Sequence, residues 1–192
     1  MAEFECLIGR PVGNIKTWPH MYECRTIYLD ACAMDWLLDD PRSVDFLALI
    51  KAGRLQAFVS GDVVAEIAST PFTKWDRRLR LLGIVFGGVL RLAPTRIPMV
   101  SGRPPLGSAT IRRRSMIWSI LSPPRATALL SNLRRLGIKK LDAVHLIEAE
   151  LAGAAAFVTT DMEDLLQKRT KIRTYTRVEV MSPEEVLCQL GG

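Results

Sequence analysis

The sequence predicts an α/β domain in three layers, α/β/α, with helices on both faces of a central parallel sheet. Three observations carry that expectation. Short β-branched and aromatic runs recur along the chain, each is followed by apolar residues at helical spacing, and acidic residues stand where strand gives way to helix. A strand that returns to the same sheet after a helix does so by a crossover, which makes the strands parallel and lays the helices against their faces.

Residues 1–25 carry Gly9, Pro11, Gly13 and Pro19 without periodicity and read as an N-terminal extension; the domain is expected over 26–192. TIYL at 26–29 is the first strand, ending at Asp30, and 31–38 the first helix. Asp40 and Pro41 read as the cap and first-turn proline of a second helix, in which Val44, Leu47 and Ile50 keep helical spacing until Gly53. LQAFVS at 55–60 is the second strand, and Gly61 and Asp62 lead into a third helix with Glu66 about one turn inside it. Beyond Pro71 come a basic helix (KWDRRLRLL) and a strand near 89–92. The segment 95–122, with Pro98, Pro104, Pro105 and the run Arg112, Arg113 and Arg114, reads as an insertion or flexible lid. A helix over 126–136 closes at Gly137 and another over 141–151 ends at Gly153. FVT at 157–159 is a buried strand, 161–169 a helix and RVEVM at 177–181 the last strand.

Composition narrows the function. With 192 residues, 48% of them hydrophobic, the chain can bury one core, and a second full domain is not expected. Its 26 Lys and Arg outnumber 20 Asp and Glu, a formal charge of +6, which favours polyanions as encounter partners. The same arginines equally serve to keep an apolar protein in solution. Cys6, Cys24, Cys32 and Cys188 form no CxxC pair, which argues against a zinc ribbon, and scattered thiols with no signal-like start suit a cytoplasmic protein. The longest apolar run, LLGIVFGGVL at 81–90, falls short of the ~20 residues a membrane helix needs and reads as core. His20 and His145 are the only histidines, so a metal-free ribonuclease with a histidine acid and base would have to recruit His20 from the extension. His145, three positions beyond Asp142 on roughly the same helix face, has two readings, contact with the site and packing beside the sheet, of which packing is preferred.

The acids carry more information than the bases. Asp30 ends the first strand, Glu66 lies early in the third helix, Asp142 opens a helix and Asp161 follows the FVTT strand. Taken singly, an acid there caps free amides and favours the positive helix end. Thr160 and Glu163 even have capping-box spacing, and Asp62 is an alternative to Glu66. Capping does not explain why acids recur at junctions that share one sheet edge, the edge where open parallel sheets bind ligands. Clustered carboxylates ionise together when a hard cation with oxygen ligands neutralises them, which points to magnesium or manganese. Metal-assisted phosphodiester hydrolysis is the reaction class that fits.

With these residues in view, the chain resembles the PIN-domain nucleases, a family that includes the VapC-type toxins of toxin-antitoxin pairs. The resemblance is carried by IKKLDAVHLIEAELAGAAAFVTTDMEDLL and RVEVMSPEEVL, supported by IYLDACAMDWLLDDP, and it spans 26–187 apart from a long 95–122 segment. It implies a PIN-like α/β/α domain and a metal-dependent endoribonuclease. Its catalytic metal ligands would be Asp30, Glu66, Asp142 and Asp161, its cofactor Mg2+ or Mn2+, and Thr159 a polar helper beside the site. RNA, a cognate antitoxin and a homodimer are the implied partners. Many members place Thr or Ser and then Asn after the first acid, where this chain has Ala31 and Cys32. That departure keeps open a non-catalytic module that binds RNA or docks a protein. A phosphatase of the haloacid dehalogenase type needs an Asp-x-Asp pair after the first strand, and Cys32 fills its second place. Arg112, Arg113 and Arg114, with Arg77, Arg78, Arg80, Arg134, Arg135, Lys139 and Lys140, are candidate phosphate contacts, solvated helix faces being the equal reading.

Overall fold

The structure, a computed structural model, describes residues 25–69, 71–87, 90–92 and 124–190. The extension up to residue 24 and the 95–122 segment, with Arg112, Arg113 and Arg114, lie outside the described residues.

Strand β1 (Arg25–Leu29) leads into helices α1 (Ala31–Asp39) and α2 (Ser43–Lys51), then β2 (Leu55–Val59), α3 (Gly61–Ala68), a 3-10 turn (Phe72–Lys74), α4 (Trp75–Phe86) and β3 (Arg91–Leu92). The chain continues as α5 (Pro124–Arg135), α6 (Lys140–Leu151), β4 (Ala156–Val158), a π-helical turn (Met162–Leu166), α7 (Arg169–Ile172), β5 (Glu179–Met181) and α8 (Pro183–Leu190). The five strands form one sheet in the order β3-β2-β1-β4-β5, and every pairing is parallel. Ile27, Tyr28 and Leu29 are all buried, as befits a central strand covered on both faces, which is why TIYL shows no alternation.

The two faces have different covers. Tyr28 stacks on Phe157 of β4 at 5.5 Å between ring centroids, and its hydroxyl lies 3.0 Å from His145 Nδ1 of α6. On the other face Ile27, Ala156 and Met181 share a small void with Val186 and Leu190 of α8. Strand order steps one way from β1 through β2 to β3 and the other way from β4 to β5. Right-handed crossovers then send the segments leaving β1 and β4 to opposite faces and open a crevice between their carboxyl ends. Asp30 follows β1 directly, and Thr159 follows β4.

Several local expectations need correction. Asp40 ends α1 instead of starting α2: its amide bonds Trp36 O at 2.9 Å and its carboxylate takes the Arg42 amide at 2.9 Å and the Arg42 guanidinium at 2.7 Å. Pro41 and Arg42 form the turn, and α2 begins at Ser43. The cap of α3 is the Ser60 hydroxyl, which accepts the Val63 amide at 3.2 Å, so Gly61 and Asp62 are already helical. The helix expected over 161–169 is a π turn followed by the short α7. The 81–90 run is core on one side only: Leu81, Val85 and Leu90 are buried, but Phe86 is exposed. Helix α8 starts with a capping box, in which the Glu185 amide donates to Ser182 Oγ at 3.2 Å and the Ser182 amide to Glu185 Oε2 at 2.9 Å. Among the described residues no helix is long and apolar enough to cross a membrane.

Candidate active site

Asp30 occupies the N-cap position of α1, yet its carboxylate makes no capping bond. Instead Oδ2 accepts from Thr159 Oγ1 at 3.0 Å and from Cys32 Sγ at 3.0 Å. The residue is 8% exposed, and its amide is tied to Val158 O of β4 at 3.0 Å. Thr159 is fully buried; its own amide donates to Met181 O at 3.0 Å, and Oγ1 accepts the Asp161 amide at 3.1 Å. One threonine hydroxyl therefore fixes Asp30 and the backbone of Asp161 together across the β1/β4 crevice. Burial, and after it the charge of Asp30, push the Cys32 thiol up, which keeps it protonated and able to donate. Both bonds fall on Oδ2, and among the described residues Oδ1 takes no hydrogen bond.

Asp142 lies in the first turn of α6, three residues past the N-cap Lys139. A carboxylate there meets the positive end of the helix, which by itself lowers its pKa. The Asp142 carboxyl is instead pushed up to about 6: first by burial, then by the negative charges of Asp30 and Asp161, with Lys139 opposing and Asp164 adding. The capping account thus fails at Asp30, where the side chain does not cap, and at Asp142, which is not the cap residue. It holds at Asp161, whose Oδ1 accepts the Asp164 amide at 2.9 Å at the start of the π turn.

Asp142, Asp161 and Asp164 can each offer one carboxylate oxygen such that all lie within 4.8 Å of one another. Asp164 was not among the residues expected from the sequence. Its signal was the third acid of TTDMED, three positions past Asp161. It is also held by two lysines: Lys139 Nζ lies 2.5 Å from Oδ2 and Lys168 Nζ 3.3 Å from Oδ1. Hydrogen bonding, to Lys139 first and then Lys168, keeps its carboxyl below the usual range. Asp30 and Glu66 both lie outside this triad: Asp30 is linked to it through Thr159, whose hydroxyl also takes the Asp161 amide, and Glu66 is exposed on α3.

Other charged candidates have settled partners. Arg77 bridges α4 to α1, with its guanidinium 2.7 Å from both Asp35 and Asp39. Arg78 lies over the Trp75 ring at 4.9 Å. Arg134 donates to Ile138 O at 2.9 Å. His145 is buried against Tyr28, whose hydroxyl also donates to Glu148 Oε2 at 3.0 Å.

The acids of this crevice fit a hard divalent cation. The donors are carboxylate oxygens beside a threonine hydroxyl, the set that magnesium and manganese prefer over zinc or copper. Burial first, and then the charges of Asp30 and Asp161, hold the Asp142 carboxyl up, and a cation placed between these acids would oppose both effects. No protein-family model and no curated protein matches the chain. Among solved structures it aligns with a chain from the crystal structure of VapBC2 from Rickettsia felis bound to a DNA fragment from their promoter. That alignment covers 82% of this chain and 98% of the other, at 13% sequence identity and a TM-score of 0.47.

Proposed function

We propose that this chain is a divalent-metal-dependent endoribonuclease in which Asp30, Asp142 and Asp161 hold Mg2+ or Mn2+. The observation that carries the reading is the convergence of acids at the crevice where the strand order reverses: Thr159 Oγ1 ties Asp30 to the Asp161 amide, and Asp142 and Asp161 offer carboxylate oxygens within 4.8 Å of each other. A divalent ion held there supplies an activated water and neutralises charge developing on the scissile phosphate. The chain's own residues have separable tasks. Thr159 and Cys32 hold Asp30 by Oδ2, which leaves Oδ1 as the ligand atom. Thr159 also fixes Asp161 through its amide, while the Asp164 amide orients the Asp161 carboxylate through Oδ1 and leaves Oδ2 for the ion. Asp142, ionised once a cation is near, closes the set from α6. Glu66, farther out on α3, acts through water or a second ion.

RNA as substrate follows from the basic excess and from the sequence resemblance, which also suggests an antitoxin partner, a homodimer and a toxin role. The test is cleavage of single-stranded RNA by the purified protein in magnesium or manganese, lost on chelation and in Asp30→Asn with a native circular dichroism spectrum. Cleavage that survives both treatments contradicts the metal mechanism. RNA binding with no metal-dependent cleavage supports the binding module left open by Ala31 and Cys32.

A further inference from the structure

We propose that Lys139 is a displaceable counter-ion of the acid cluster, seated on Asp164 until a divalent cation enters and then transferred to a phosphate of the bound RNA. This rests on the metal-dependent reading above. The two lysines on Asp164 are built differently. Lys168 is 27% exposed and anchored twice, to Asp164 Oδ1 and to Gly137 O, both at 3.3 Å. Lys139 is 72% exposed and reaches the cluster through one contact, 2.5 Å from Asp164 Oδ2. That contact puts its ammonium at the rim of the carboxylates of Asp142 and Asp161, which share a 4.8 Å limit with Asp164.

The place of Lys139 in the chain is itself informative. It is the N-cap residue of α6, makes no capping bond and is followed by Lys140 at the first helical position. Ser, Thr, Asn or Asp would satisfy a free amide there, and positive charge is disfavoured at that end of a helix. Helix stability alone selects against this lysine, and such local conflicts collect where function imposes them. A surface ion pair with Asp164 is too weak a reward to explain the choice.

An ammonium a few ångströms from a divalent ion repels it by an amount worth roughly tenfold in affinity. Lys139 is bonded to Asp164 and is also held there by the negative charges of Asp142 and Asp161, so a divalent ion on those two acids cancels part of what seats the ammonium. Metal entry frees the ammonium beside the place where a scissile phosphate would lie, and a phosphate is the anion that then takes it.

The test compares wild type with Lys139→Met, Lys139→Arg and Lys168→Met. In Mn2+ titrations followed by calorimetry, Lys139→Met should bind the ion about tenfold more tightly than wild type. Binding of a fluorescent oligouridylate is then measured against salt, in EDTA and in calcium. In EDTA wild type and Lys139→Met should share one salt slope, because Lys139 is seated on Asp164. In calcium wild type should gain about 0.7 in slope, one single-strand phosphate contact, and Lys139→Met none. Lys139→Arg should keep the gain, and Lys168→Met should lower Tm while keeping it as well. Equal or weaker Mn2+ binding by Lys139→Met, or equal slopes in calcium, overturns the proposal while the metal site stands. Absence of Mn2+ binding by wild type overturns both.

Discussion

Replacing Asp142 by Asn separates a metal ligand from a helix-stabilising acid. A carboxyl moved from its usual 3.8 to about 6 carries up to about 3 kcal/mol of unfavourable charge when ionised. Asp142 is only half-buried, so solvent screening reduces this to about 1.5 kcal/mol. The sign is fixed by linkage. Between about pH 4 and 6 the folded state binds more protons at Asp142 than the unfolded chain, so stability falls as pH rises through that window and the full penalty stands above it. Asn removes the charge, keeps the shape and gives up about 0.5 kcal/mol of interaction with the helix end. Without metal at pH 7.5, Asp142→Asn should therefore be more stable than wild type by about 1 kcal/mol, or about 2–4 °C in Tm. At pH 4 the gap should vanish.

Metal should reverse the order. At a hundred times its dissociation constant an ion stabilises wild type by about 2.7 kcal/mol, while a variant that binds about a hundredfold more weakly gains about 0.4 kcal/mol. The assay is a set of thermal melts of both proteins in chelator and in Mg2+ or Mn2+, repeated across pH. Equal gains from metal, or a metal-free variant less stable than wild type at pH 7.5, would refute the reasoning.

Three further outcomes are expected. Thr159→Val removes the hydroxyl shared by Asp30 Oδ2 and the Asp161 amide, and should cost about 1–3 kcal/mol in denaturant melts and weaken Mn2+ binding, whereas Thr159→Ser restores both. Glu66→Gln should leave first-ion Mn2+ affinity close to wild type and slow RNA cleavage; an affinity loss as large as that of Asp161→Asn would make Glu66 a direct ligand. Neutralising Arg112, Arg113 and Arg114 together should flatten the salt dependence of RNA binding by about 2 in slope if all three contact single-strand phosphates, and an unchanged slope would remove 95–122 from the substrate path.

What could be read from the sequence was what short-range physics dictates. Gly53, Gly137 and Gly153 were placed at helix ends by pattern, and each has a positive φ, 71°, 77° and 73°, that other residues rarely adopt. TIYL and FVT gave the paired central strands because residues buried on both faces must be apolar and favour extended backbone. Asp40 misled because an acid before proline suits a helix start as well as a turn, and only the Arg42 guanidinium, bonded to its carboxylate, decides between them. Asp164 was out of reach for a different reason. The local pattern shows only a helix start, in which Asp164 donates its amide to the Asp161 cap; that this turn meets the Lys139–Asp142 end of α6, which sets Asp164 beside Asp142, is a tertiary contact the segment does not encode. Asp142 is raised by burial first and then by the charges of Asp30 and Asp161, and neither its burial nor its nearness to those two acids is encoded in the local pattern around it.

The most direct test of the account is the position of a bound ion. Crystals grown or soaked in Mn2+ should show an anomalous peak in the β1/β4 crevice, with oxygens of Asp30, Asp142 and Asp161 at about 2.1 Å or joined to it through one water. The peak should vanish in Asp30→Asn crystals. An empty crevice at millimolar Mn2+ in wild type that is otherwise well ordered, or a peak held by other residues, would contradict the assignment of these acids as the metal site.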